Sequence, residues 1–286
     1  NIPKLPSRIH HIGVWISKVA DQPASVYWAV GQRGLHPDIQ WLIKGELDRS
    51  KKKASRVVLR TWSYLFDAWE RGVTDSDRDW YELKALIGKT GWDYALVRKY
   101  IAIVKPYLQV GSNSKNRYKL TEEVKELHVS DLIQLEVKYP ELPEDVNIPD
   151  KWLIYTVQEL RKNLEYAQQL EAEVGSYELT NIASIIPVDE NNDSYERTHG
   201  ILGCILLFTS YFERLINLDV SIALHELSSW PVEDDIIFTR LKIWASGYAD
   251  LITPKECDLI HLSLSDDTFL NSYHERDLLL VLAMRW

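Results

Sequence analysis

Residues 194–218, SYERTHGILGCILLFTSYFERLINL, hold the densest apolar run of the chain. No charged residue falls within 201–212, and Glu213 and Arg214 close the run directly. A helix without a polar face has nothing to offer water, so this stretch is expected to be a buried central helix. Its uncharged part is about a dozen residues, short of the ~20 that a bilayer span requires. Only the first turn, with Glu196, Arg197 and His199, is polar, and the acidic loop 187–193 leads into it.

Size and composition frame that helix. The 286 residues are 45% hydrophobic and 26% charged, enough for a sizeable core in one large domain or two smaller ones. A net charge of −9 argues against broad nucleic-acid binding, which needs a large positive surface. Two cysteines, Cys204 and Cys257, give no disulfide framework and fit a reducing compartment. No basic-then-apolar leader opens the chain, so a cytoplasmic location is expected. Asn1 in place of Met and the apolar end 278–286 lead to the expectation of a piece excised from a longer polypeptide. Most of the eleven tryptophans fall at helical spacing beside Leu, Ile or Tyr and are expected in the core.

Working outward, the same helical period recurs. Ser7 is placed as the cap of a helix with the stripe Ile9, Ile12, Trp15, Ile16 and Val19. Pro23 opens a shorter helix ended by Gly31, and Pro37 opens a third through Ile39, Ile43 and Leu47. Val58, Trp62, Leu65 and Trp69 mark a fourth helix, ended by Gly72. Trp80, Leu83 and Ile87 mark a fifth, and Tyr94, Val97, Ile101 and Val104 a sixth. Between 111 and 149 the character changes. A polar loop is expected from Gly111 to Lys119, then a strand in which Ile133, Leu135, Val137 and Tyr139 alternate with polar residues. Asp150 is expected to cap a surface helix carrying Leu153, Val157, Leu160, Leu164 and Ala167 inward, with Arg161 and Glu171 on its outer faces. Asp219 reads as a further cap, and Ile237, Leu241 and Trp244 form another helix. Thr253-Pro254-Lys255-Glu256 carries the signature of a capping box, and Ser272-Tyr273-His274-Glu275 repeats it.

The expected fold is therefore all-α, an irregular HEAT-like array of paired amphipathic helices with one small β/loop insertion. The expected divisions are 1–110, 111–149 and 150–286.

Readable catalytic signatures are absent. Neither G-x-G-x-x-G nor G-x-x-x-x-G-K-[ST] occurs, nor H-E-x-x-H, nor G-x-S-x-G, and two cysteines do not make a zinc cluster. Glu196 and His199 stand at the i, i+3 step used in di-iron bundles, but such sites need a second Glu-x-x-His. The stretch His274 to Asp277 fits a helix start or an ion pair to the preceding turn. Lys44, Arg49, Lys51, Lys52, Lys53, Arg56 and Arg60 locally reverse the acidic balance, which a helix C-terminus and a solvated loop explain. Two surfaces follow as candidates for interaction: Glu196, Arg197 and His199, and the basic edge Arg49, Lys51, Lys52, Lys53 and Arg56. No catalytic, cofactor-binding or metal-binding residue is assigned. A hydrolase or nuclease pocket around Glu196, His199 and 187–193, or a nucleic-acid-binding edge, are the alternatives.

Four strings, HHIGVWISKVADQPASVYWAVG (10–31), SYERTHG (194–200), IFTRLKIWASG (237–247) and SYHERDLLLVLAMRW (272–286), together resemble the helical region of bacterial antiphage defence proteins that carry a SIR2-like domain elsewhere in the chain. The resemblance implies a defence protein whose SIR2-like part degrades NAD. The helical part would hold the assembly together, keep the enzyme quiet or bind a phage protein trigger. Implied partners are the other domains of the parent chain, that trigger and further copies of the chain, with no cofactor and no membrane. The glycine-rich NAD loop and the catalytic Asn and His of a SIR2-like domain do not occur here, so no catalytic residue carries over.

Overall fold

The computed structural model describes residues 6–32, 34–50, 54–71, 76–112, 127–141, 146–175, 179, 182, 184–186, 200–232, 236–269 and 272–286. The chain is mostly helical with a small two-stranded antiparallel hairpin, as expected from its periodicity. The helices run α1 Ser7–Lys18, α2 Pro23–Val30, α3 Pro37–Ser50, α4 Arg56–Arg71, α5 Ser76–Thr90 and α6 Tyr94–Ile103. Strand β1 Tyr107–Ser112, helix α7 Val129–Leu132 and strand β2 Ile133–Lys138 follow. After a 3-10 turn at Asp150–Trp152 come α8 Leu153–Val174, α9 Gly200–Leu218, α10 Val220–Ser228 and α11 Ile237–Ser246. Helices α12 Pro254–Leu262, α13 Asp266–Phe269 and α14 Ser272–Arg285 complete the chain.

Two compact units emerge: Asn1–Thr74 with Leu108–Glu136, and Asp75–Tyr107 with Val137–Trp286. The segment 111–149, drawn from sequence as one insertion, is thus shared between them.

In the first unit, α1 packs on α3 and α2 on α4, so alternate helices pair. The core is built by Ile16, Val26, Ile39, Ile43, Leu47, Val58, Trp62 and Leu65, with Leu132 and Ile133 from the hairpin side. The indole N–H of buried Trp62 donates to the Ala20 carbonyl at 2.7 Å, which spares the core an unpaired donor. Gly13 lets α1 and α3 approach closely, because a Cβ there would stand 3.0 Å from Ile39 Cγ1. That approach decides which side of α1 is covered. Gly13, Ile16 and Ser17 are buried, while Ile9, Ile12 and Trp15 are exposed. Trp15 follows Gly13 by two residues, roughly 200° around the helix, and so faces away from α3. The stripe expected on α1 is therefore corrected: only its Ile16 is buried. Ser7 is also not a cap; Pro6 holds that position and no side chain bonds the first turn. The strand expected from the alternation at 133–139 is β2, whereas β1 takes in Gly111 and Ser112, where a loop was expected.

The second unit is organised around α9, which packs on α8 and α10. Ile201, Ile205, Phe208, Phe212 and Leu215 are buried, each contributing about 1.5–3 kcal/mol relative to exposure. Aromatic rings extend this core, with Phe212 and Trp230 centroids 5.0 Å apart and Phe212 and Trp244 at 6.2 Å. By length and composition α9 could cross a membrane, contrary to the shorter run read from sequence, but 61% of that window is buried within the protein. Its expected polar first turn lies outside the described residues.

Local signals stop and start these helices as chemistry requires. Asp219 accepts the Ser221 and Ile222 N–H groups at 2.9 and 3.2 Å. Thr253 and Glu256 form the expected capping box. Gly175 ends α8 at φ 70°, a left-handed conformation that favours glycine. Asp150 departs from expectation: it opens the 3-10 turn, and its carboxylate accepts from Arg214 at 2.8 Å rather than capping α8. Of the eleven tryptophans, Trp15, Trp28, Trp41 and Trp286 are exposed, so core packing accounts for most but not all.

Candidate functional site

The second unit contains a cavity of about 370 Å³, within the size range of small-molecule sites. One wall is a single face of α9, where Leu206, Thr209 and Glu213 recur at steps of three and four. Trp244, Gly247 and Tyr248 at the end of α11 form a second wall, and Val281 and Met284 of α14 a third. Gly247 keeps the cavity open for want of a side chain: a Cβ would stand 3.1 Å from the Trp244 carbonyl and 3.6 Å from Val281 Cγ2.

Ile185 and Ile186 complete the lining, and their position is fixed by buried charge. The Asp277 carboxylate accepts the Ile185 and Ile186 N–H groups, each at 3.0 Å. Arg240 donates to the Ile182 carbonyl at 2.6 Å, and its Nε lies 3.9 Å from Asp277 Oδ2. Arg240 and Asp277 are 2% and 1% exposed, so each needs these partners to remain in the interior. Burial pushes the Asp277 carboxyl above its ordinary range, with the two N–H groups and Arg240 opposing. Burial likewise lowers the Arg240 guanidinium, which Asp277 counters. Together they staple Ile182, Ile185 and Ile186 to α11 and α14. In sequence, the run His274 to Asp277 pointed to a helix start or an ion pair to the preceding turn. The run does lie at the start of α14, and its Asp277 carboxylate reaches main chain some ninety residues away rather than the preceding turn.

The polar chemistry inside the cavity is a carboxylate and a phenol. Tyr248 donates its hydroxyl to Glu213 Oε1 in a short hydrogen bond. Burial, reinforced by the Glu213 carboxylate, holds the Tyr248 phenol far above its usual range, so the hydroxyl stays a neutral donor. Thr209 turns its hydroxyl back to the Leu206 carbonyl at 3.0 Å. The Trp244 and Tyr248 rings meet edge to face at 5.1 Å.

A second constellation has the outward form of a nucleophile and its base. Ser246 Oγ and His261 Nε2 are 3.1 Å apart, and Cys257 Sγ lies 3.9 Å from His261 Nδ1. Ser246 is fully buried and donates to the Ile243 carbonyl at 2.6 Å, so its hydroxyl proton is committed to the helix. Burial holds the His261 imidazole below its ordinary range, with Asp258 opposing and Arg285 assisting. These are core contacts joining α11 to α12. Cys204 is buried as well, and its thiol is pushed up to about 12 by desolvation, which makes it inert. Among the described residues no group of three His, Cys, Asp or Glu side chains could hold a metal ion.

Of the interaction residues expected from sequence, Glu196, Arg197, His199, Lys51, Lys52 and Lys53 lie outside the described residues. Arg49 pairs with Glu46 at 2.8 Å, and Lys18 contacts the same carboxylate at 2.9 Å. Arg56 is the exposed first residue of α4, and among the described residues no shared partner joins it to Arg49. Two neighbours of this edge are turned to aromatic rings: Lys44 lies 4.7 Å from the Phe66 centroid, and Arg60 donates to Tyr64 at 2.8 Å. The cavity residues Thr209, Glu213 and Tyr248 were not marked by sequence reasoning. The signal available was a lone carboxylate one turn beyond Thr209 in an otherwise apolar helix.

Comparison with protein-family models, with curated proteins and with solved structures found no match.

Proposed function

We propose that this chain is a non-enzymatic helical scaffold and sensor region of a bacterial antiphage defence protein whose separate SIR2-like domain degrades NAD. The observation that carries the binding role is the composition of the cavity: apolar and aromatic walls with one carboxylate–phenol pair, a set suited to recognition rather than bond cleavage. The other buried polar groups support the same reading, since Arg240, Asp277 and Ser246 are engaged in holding main chain. The link to SIR2-like defence proteins rests on the four strings at 10–31, 194–200, 237–247 and 272–286. The partners that follow are the remaining domains of a parent chain, a phage protein trigger and other copies of the chain.

The test is direct. The purified chain incubated with NAD is expected to leave it intact. Turnover that disappears on a single substitution within the chain, Glu213→Gln or His261→Ala, refutes the non-enzymatic reading.

A further inference from the structure

The cavity of the second unit carries a more specific statement. Glu213 Oε1 is engaged by the Tyr248 hydroxyl, and among the described residues no cation pairs with this carboxylate. The nearest cations along the chain are committed elsewhere. Arg214 donates to the Ile148 carbonyl at 2.9 Å and to Asp150 at 2.8 Å, and Arg285, next to Met284, donates to the Ile252 carbonyl at 2.7 Å. Among the described residues the carboxylate therefore opens on an apolar, aromatic space with no counter-charge. Glu213 is half-buried among apolar and aromatic side chains, and the partner that complements a carboxylate there is a cation.

We propose that this cavity binds a small organic ammonium, its apolar body against Ile186, Leu206 and Val281 and its N–H groups on Glu213. The Trp244 and Tyr248 rings add cation–π attraction at the same place. Tyr248 keeps Glu213 aimed by its hydrogen bond, and the Asp277 staple holds the Ile185–Ile186 wall that the ligand body touches. A divalent metal is a poor fit, since it demands several oxygen ligands and the lining offers a single carboxylate. An anion is repelled. This ligand class rests on the reading of the chain as a binding module and adds a small-molecule ligand to the partners named there.

The experiment titrates the full chain by calorimetry with phenethylammonium, with neutral phenethyl alcohol and with anionic hydrocinnamate, at matched ionic strength. The ammonium is expected to bind about tenfold or more tightly than the alcohol, because a charge-assisted hydrogen bond is lost in the neutral isostere, and hydrocinnamate is expected to bind weakest. Glu213→Gln should erase the preference for the ammonium. Met284→Trp fills the cavity rim from an exposed position, so it should block binding with the fold intact, as read by circular dichroism. Should Glu213→Gln fail to fold, Met284→Trp decides alone: lost ammonium binding supports the site, and unchanged binding overturns it. Absence of ammonium binding at millimolar concentration, equal binding of all three probes, or unchanged preference in a folded Glu213→Gln each overturns the inference. The NAD assay remains separate. A chain that leaves NAD intact and binds no ammonium loses only this ligand class, whereas one that turns NAD over loses the scaffold reading whatever it binds.

Discussion

Helices α1 and α8 invert one another. On α1 the apolar side chains Ile9, Ile12 and Trp15 face outward, while on α8 the polar Thr156, Asn163 and Glu171 are buried, with Arg161 close behind. Periodicity alone would have put the α1 stripe inside; on α8 it placed the apolar stripe Leu153, Val157, Leu160, Leu164 and Ala167 correctly but left Glu171 outside. The difference is what each helix meets. Against α1 stands α3, approached through Gly13, so the covered side is set by the smallest residue rather than by the greasiest ones. On α8, groups from its own next turn and from other segments pair with most of its polar side chains. Arg161 reaches Glu226 at 2.7 Å and Glu165 at 2.5 Å, Asn163 donates to the Ile101 carbonyl at 3.3 Å, and Tyr139 donates to Glu171 at 2.5 Å. Burial pulls the Arg161 guanidinium down, but the two carboxylates more than offset it and leave it raised. A polar side chain can be interior once it is paired, and an apolar one can be exterior when a closer approach is available elsewhere.

The contrast can be broken by substitution. The largest effect is expected at the most enclosed charge: Asp277→Ala should cost about 3–5 kcal/mol in a denaturant melt, because it removes a buried carboxylate that faces Arg240 and accepts the Ile185 and Ile186 N–H groups. A loss below ~1 kcal/mol, within the range of an exposed pair, would show that water reaches the cluster. Next is Glu226→Ala, expected to cost about 1–3 kcal/mol, since Glu226 is buried and, among the described residues, Arg161 then keeps Glu165 alone. A neutral result there would return α8 to the surface role read from its sequence.

A pH effect should follow at His261. Its imidazole is held below the ordinary value of 6.5 by burial, so below that pH the unfolded chain takes up the proton more readily than the folded one. This contribution to stability is full above 6.5 and falls as pH drops toward the folded value. Melts of the wild type should weaken over that window, and His261→Gln should flatten this part of the profile. The smallest effect belongs to α1. Ile12→Ser and Trp15→Ser are expected to change stability by less than about 0.5 kcal/mol. A cost of ~2 kcal/mol at either position would mean the stripe is covered in solution, and the inversion with α8 would be lost.

Much of the secondary structure was legible from local chemistry. Pro23 and Pro37 open helices, Asp219 and Thr253 cap them, Gly175 stops one, and the alternation at 133–138 is a strand. These signals act between residues a few positions apart, where a side chain and the main chain it bonds are always neighbours. Strand β1 was missed because a short strand next to a glycine carries little period of its own. The candidate site was hardly legible. Glu213 appeared only as the charge closing an apolar run, and Tyr248 only as a residue after a helix stop. Their meeting spans 35 residues, and the Asp277 staple spans about ninety.

By itself the sequence determined a helical chain with one small β element, with caps and stops at stated residues and an uncharged apolar run at 201–212 that had to be enclosed. Tertiary structure alone decided which face of α1 is covered, that Arg240 and Asp277 meet in the interior, and that Glu213 and Tyr248 share a cavity. The physical reason is range. Helix initiation, capping and period are set by contacts within a turn or two, whereas desolvation of a charge and the shape of a cavity depend on every segment that closes around them.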